Sequence, residues 1–115
     1  MAEKSAFVEL IGDTPFTRLV DFLITGRNFD YTLTDLANKA GVSWTTLNRI
    51  FPKLREHGIV VMVRQVGMAK LYKLNMENDL VLKMVGLYNA VLADRLKAAQ
   101  KKALVAIPTQ RSQRF

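Results

Sequence analysis

The chain has 115 residues, half of them hydrophobic, enough for one core and a terminal extension. It contains no cysteine, which excludes disulfides, thiol nucleophiles, thiolate zinc sites and cysteine-held iron–sulfur clusters. Its 17 Lys+Arg against 10 Asp+Glu give a net charge of +7, which points to a polyanionic partner or an anionic surface.

Residues 1–14 carry apolar Phe7, Val8, Leu10 and Ile11 without a clear period, and Gly12-Asp13-Thr14-Pro15 breaks the chain. Thr14 followed by Pro15 reads as a helix cap with proline at the first helical position. Phe16, Leu19, Val20, Leu23 and Ile24 then recur at helical spacing up to Gly26. Tyr31-Thr32-Leu33 is a short extended piece. The next helix points Leu36, Ala37 and Ala40 at a core and stops at Gly41; its cap is Thr32, in a capping box with Asp35, or Thr34.

Ser43 caps a third helix, and Val42 before it is placed to pack on Leu47 as a hydrophobic staple. Leu47, Ile50, Phe51 and Leu54 make one apolar stripe, and Gly58 closes the helix in the left-handed conformation. At about 100° per residue, Thr45, Asn48, Arg49 and Lys53 fall on the opposite side. Pro52 lies inside this pattern and predicts a kink or an early change of direction. The period then changes to two: Ile59, Val61 and Val63, then Leu71, Tyr72 and Leu74, form a hairpin around Gly67 that carries Arg64, Lys70 and Lys73. Asn78 or Asp79 caps a last helix reaching about Ile107. Its apolar face is wide, with Val81, Val85, Tyr88, Leu92 and Leu96 in one row and Leu80, Met84, Leu87 and Val91 in another. Residues 108–115 read as a basic, disordered tail.

The charge is unevenly spread. Residues 1–43 carry net −2, residues 44–73 net +5, residues 74–100 net 0 and residues 101–115 net +4. Helix, extended piece, helix, turn, helix and hairpin is the order of a winged helix-turn-helix. The stretch "TDLANKAGVSWTTLNRIFPKLREHGIV" followed by "VRQVGMAKLYKLN" resembles small archaeal winged-helix transcriptional regulators over roughly residues 12–76. The resemblance implies a positioning helix over 34–40, a recognition helix over 43–56 and a wing tip at 65–70. Family members often carry a basic or polar residue where this chain has Trp44.

The residues suit that role on their own chemistry. Asn bonds adenine in two places and Arg bonds guanine in two places in the major groove, while the Thr methyl meets that of thymine. Asn48 and Arg49 are therefore the candidates for base reading, with Thr45 next. Ser43, Thr46, Lys53, Arg64 and Lys70 suit phosphates, which set position and affinity. Trp44 is suited equally to packing at the core edge and to a DNA contact through its N–H.

The expected fold is α+β, mainly α: a winged helix-turn-helix domain over 1–76, a dimerisation helix over 77–107 and the tail. The expected function is sequence-specific binding of double-stranded DNA by a homodimeric transcriptional regulator. Dimerisation would run through Val81, Val85, Tyr88, Leu92 and Leu96, and Lys101, Lys102, Arg111 and Arg114 would add non-specific phosphate contacts. A DNA-coating architectural or partition protein and a protein-interaction module are the alternatives from other classes. His57 is the only histidine and sits at a helix end, where the dipole accounts for it. No carboxylate pair, phosphate loop or nucleophile with a base stands out, so neither an enzyme nor a cofactor is expected. With no leader-like or membrane-spanning apolar run, a cytoplasmic, membrane-free location is the expectation.

Overall fold

The computed structural model describes residues 4–105. The elements are α1 (Ala6–Ile11), α2 (Pro15–Thr25), α3 (Leu33–Ala40), α4 (Trp44–Glu56), β1 (Val60–Val66), β2 (Ala69–Leu74) and α5 (Asp79–Val105). The expected end of the last helix at Ile107 and the tail lie outside the described residues.

Local chemistry sets most of the boundaries. The Thr14 hydroxyl accepts from the Thr17 N–H and Pro15 opens α2. Thr32, not Thr34, caps α3: its hydroxyl accepts from the Asp35 N–H at 3.1 Å while the Asp35 carboxylate accepts from the Thr32 N–H. Ser43 caps α4 by accepting from the Thr46 N–H at 3.1 Å. Two hydrogen bonds close α4, from the Ile59 N–H to the Leu54 carbonyl and from the Gly58 N–H to the Arg55 carbonyl. This is a Schellman ending, with Gly58 at φ +68° and the apolar pair Leu54 and Ile59 buried beneath it. Pro52 lies inside α4, which continues as one element to Glu56.

Several features differ from the sequence expectation. Residues 6–11 form a helix, capped by the Ser5 hydroxyl, that buries Phe7 and Val8. On the hairpin, burial stops at Ile59 and Val60 on the first strand, while Val61, Met62 and Val63 are exposed. The hairpin projects from the domain, so beyond its base both faces meet water.

The strands pair antiparallel, Val60 with Leu74 and Val66 with Ala69, around the two-residue turn Gly67-Met68. Val63 is an extra residue between the pairs Met62–Tyr72 and Arg64–Leu71. Such a bulge twists a strand and re-aims the side chains beyond it. Here it turns Arg64 to the same face as Val61 and Lys73. The extended piece expected at residues 31–33 is a single bridge, with Tyr31 and Tyr72 exchanging backbone hydrogen bonds of 2.8 and 2.7 Å.

One core joins all of these elements. Leu19, Leu23, Ile24, Leu36, Leu47, Leu54 and Val81 are almost fully buried in it. Asn78 caps α5 by accepting from the Leu80 N–H, and its amide donates to the carbonyls of both His57 and Gly58 at 2.9 Å. The end of α4 and the start of α5 are therefore held by one side chain.

Candidate nucleic-acid interface

The expected site residues gather on and around α4. Its buried side, Leu47, Phe51 and Leu54, fixes its rotation against the core, with Ile50 packed at the edge. Thr45, Asn48, Arg49 and Lys53 are then exposed. Pro52 and Glu56 share this outward face, which their residue types alone do not signal.

Grooves flank the outward face, one of them lined by Asn48, Pro52, Arg55 and Glu56. On one side Arg49, Ile50 and Lys53 border the first turn of α2, at Thr14, Pro15 and Phe16. On the other, Trp44 shares a groove with Thr32, Leu33 and Thr34 at the start of α3 and with Met68 and Lys70 of the hairpin. Trp44 is 53% exposed, at the mouth of this groove and outside the core.

Several side chains already have partners. The Asn48 amide nitrogen donates to the Trp44 carbonyl at 2.9 Å. Ser43 and Thr46 join hydroxyls at 2.9 Å as part of the cap. Arg64 binds Asp30 through two nitrogens, Nε to Oδ2 at 2.7 Å and NH2 to Oδ1 at 3.2 Å. That hydrogen bonding holds the Asp30 carboxyl below the usual carboxylate range and raises the Arg64 guanidinium. A pair 34 positions apart, created by a bulge, leaves no signal in the sequence. Lys70 is exposed on the hairpin.

Tyr72 links α4 to the hairpin. Its ring meets Phe51 edge-on at 4.8 Å, and the Arg55 guanidinium lies 5.4 Å from its centre. At the other end, Arg18 binds Asp13 through two nitrogens and donates to the Gly41 carbonyl in the turn before α4 at 3.1 Å. Hydrogen bonding to Arg18 lowers the Asp13 carboxyl to about 2. Both ends of the exposed helix are thus tied to the domain.

No protein-family model matches the sequence, and no curated protein matches it. Solved structures match the fold. NadR in complex with 4-hydroxyphenylacetate superposes with a TM-score of 0.57 at 20% identity, over 88% of this chain and 73% of that one. The AntR antimony-specific transcriptional repressor gives 0.55 at 20% identity, over 74% and 73%. A mutant of Lactococcus lactis ZitR in complex with DNA gives 0.53 at 15% identity, over 79% and 61%. The fold is a winged helix-turn-helix with a long C-terminal helix. Identities this low carry the fold alone and lend nothing to an archaeal source.

In this winged helix, the residues expected to dimerise divide into two groups. Val81 and Val85 are buried in the chain's own core, and Tyr88 is half-buried against it, its ring 5.6 Å from that of Phe7. The same stripe continues along α5, where Leu92 is 43% and Leu96 is 58% exposed, while Val91 is buried and Arg95 pairs with Glu9 of α1. A helical stripe records that a surface needs cover, not which surface covers it, and the first turns of α5 find theirs within the chain. Leu10 and Ile11 of α1 and Leu87 of α5 are further exposed apolar residues. Among the described residues no helix is long and apolar enough to cross a membrane.

Proposed function

We propose that the chain is a sequence-specific, double-stranded-DNA-binding transcriptional regulator, with α4 in the major groove. The observation that carries this reading is the exposed row Thr45, Asn48, Arg49 and Lys53 on a helix whose rotation and two ends are fixed, within a segment of net +5. Arg49 and Asn48 have the donor and acceptor sets that read guanine and adenine edges, and Lys53 and Lys70, exposed and in no ion pair among the described residues, suit phosphates. Arg64 is committed to Asp30, which makes it a brace for the wing rather than a first choice for phosphate. The likeness to a repressor and to a DNA complex supports the same reading. On this reading the chain is a cytoplasmic binding protein and not an enzyme.

The reading includes a homodimer. Two copies would place two α4 helices about 34 Å apart, one turn of DNA. Leu92 and Leu96, with Leu87 and the exposed residues of α1, are the surface suited to a second copy. The dimerisation segment is then the outer half of α5, its inner half belonging to the DNA-binding domain.

The test is to mix the protein with sheared genomic DNA of its host at near-physiological salt, recover the bound fragments and sequence them. A few enriched promoter fragments sharing a two-fold repeat are expected. Even recovery across the genome would replace this reading with a DNA-coating role, and no recovery would end it.

A further inference from the structure

The turn of the wing carries no charge. Between Gln65 and Lys70 the chain reads Val66-Gly67-Met68-Ala69, and Met68 is 95% exposed, more than any other large hydrophobic residue among those described. The tip is also well fixed. Val66 pairs with Ala69, Gly67 takes φ +61° at the first central position of the turn, and the Gln65 side chain donates to the Gly67 carbonyl at 3.0 Å. An apolar side chain is thus held out in water on a short, hydrogen-bonded hairpin, with Val66 continuing the apolar surface behind it at 56% exposure.

Its surroundings point to the occupant. Met68 borders the same groove as Trp44, in the first turn of α4, and Lys70. The segment from 44 to 73 has net charge +5, which complements a polyanion and not an apolar protein surface. Arg64, the wing's only arginine, is bound to Asp30 well behind the tip.

We propose that Met68 is a wedge: with α4 in the major groove, the wing tip enters the adjoining minor groove and Met68 inserts between two base pairs. Insertion of an apolar side chain unstacks a step and bends the duplex toward the major groove. Pyrimidine–purine steps unstack most easily, so Met68 would select such a step at a position no hydrogen bond reads. This rests on the DNA-binding reading above.

The experiment uses short duplexes cut from the recovered fragments, labelled with a fluorophore pair at the two ends or with 2-aminopurine at successive steps beside the footprint. Binding is measured first by anisotropy; a wild-type protein that binds no duplex ends the DNA reading and the wedge with it. With binding established, the wild type is expected to shorten the end-to-end distance and raise 2-aminopurine fluorescence at one step. Met68→Ala should keep the footprint but lose most of both signals, and Met68→Leu, still apolar, should retain them. A straight duplex with the wild type, or an equal bend with Met68→Ala, overturns the wedge and leaves the DNA reading intact. A change in sedimentation of the free protein on Met68→Ala would also overturn it, assigning the tip to a second copy.

Discussion

Arg49 and Asp13 are both exposed, and their environments give them different work. Among the described residues nothing is hydrogen-bonded to the Arg49 side chain, so its exposed guanidinium is available to a ligand. Arg49→Ala is expected to weaken binding to recovered fragments by about 1–3 kcal/mol and binding to random duplexes much less. Titrations on both DNA types check this, and equal losses would make Arg49 a phosphate contact. Asp13 is held by Arg18, with its folded carboxyl lowered to about 2 from the ordinary 3.8. A carboxyl that titrates lower when folded contributes stability above its unfolded value, and that contribution is lost as the pH falls through the folded one. Thermal unfolding should therefore show a loss between about pH 4 and about pH 2 that is smaller in Asp13→Asn. The sequence placed Asp13 in a turn but could not show Arg18 reaching from it to the Gly41 carbonyl, because that contact needs two elements already packed.

Helix boundaries are the scale at which the sequence was most readable. Thr14, Ser43 and Gly58 act on groups within a few residues of themselves, so their roles come from local chemistry. Gly58 combines φ +68° with a site where a methyl group would lie 3.0 Å from the Asn78 amide nitrogen. Gly58→Ala should thus cost at least about 1–2 kcal/mol, seen as a lower denaturation midpoint with an unchanged slope. An unaltered midpoint would mean that the turn relaxes freely. Two elements escaped the sequence at this scale: α1, too short to show a period, and the bulge at Val63, since periodicity assumes an unbroken ladder. Without that bulge, alternation would have put Arg64 on the face opposite Val61 and Lys73, away from Asp30.

For the molecule as a whole, order and pattern led to the winged helix, while the division of labour along α5 needed three dimensions. Val81 and Leu92 belong to one stripe, yet one is in the core and the other is exposed. This separation allows a clean test of the dimer. The pair of substitutions Leu92→Glu and Leu96→Glu should leave the far-ultraviolet spectrum and the cooperative melt intact and convert a dimer to a monomer in sedimentation. Cutting the chain after Asn78 would be a poor substitute, since it also removes Val81 and Val85 from the core. A wild-type chain that sediments as a monomer at micromolar concentration would refute the dimer.

The two-way grip of Asn78 has a mechanical meaning. Its carbonyl oxygen holds the first turn of α5 and its nitrogen holds the His57 and Gly58 carbonyls just past α4, so one amide plane joins the two helices. The 27-residue α5 is about 40 Å long, and its inner half is seated in the core beside this grip. A force on the outer end of α5 would therefore reach α4 through Asn78 and through Val81, Val85 and Tyr88, which seat the inner half of the helix in the shared core.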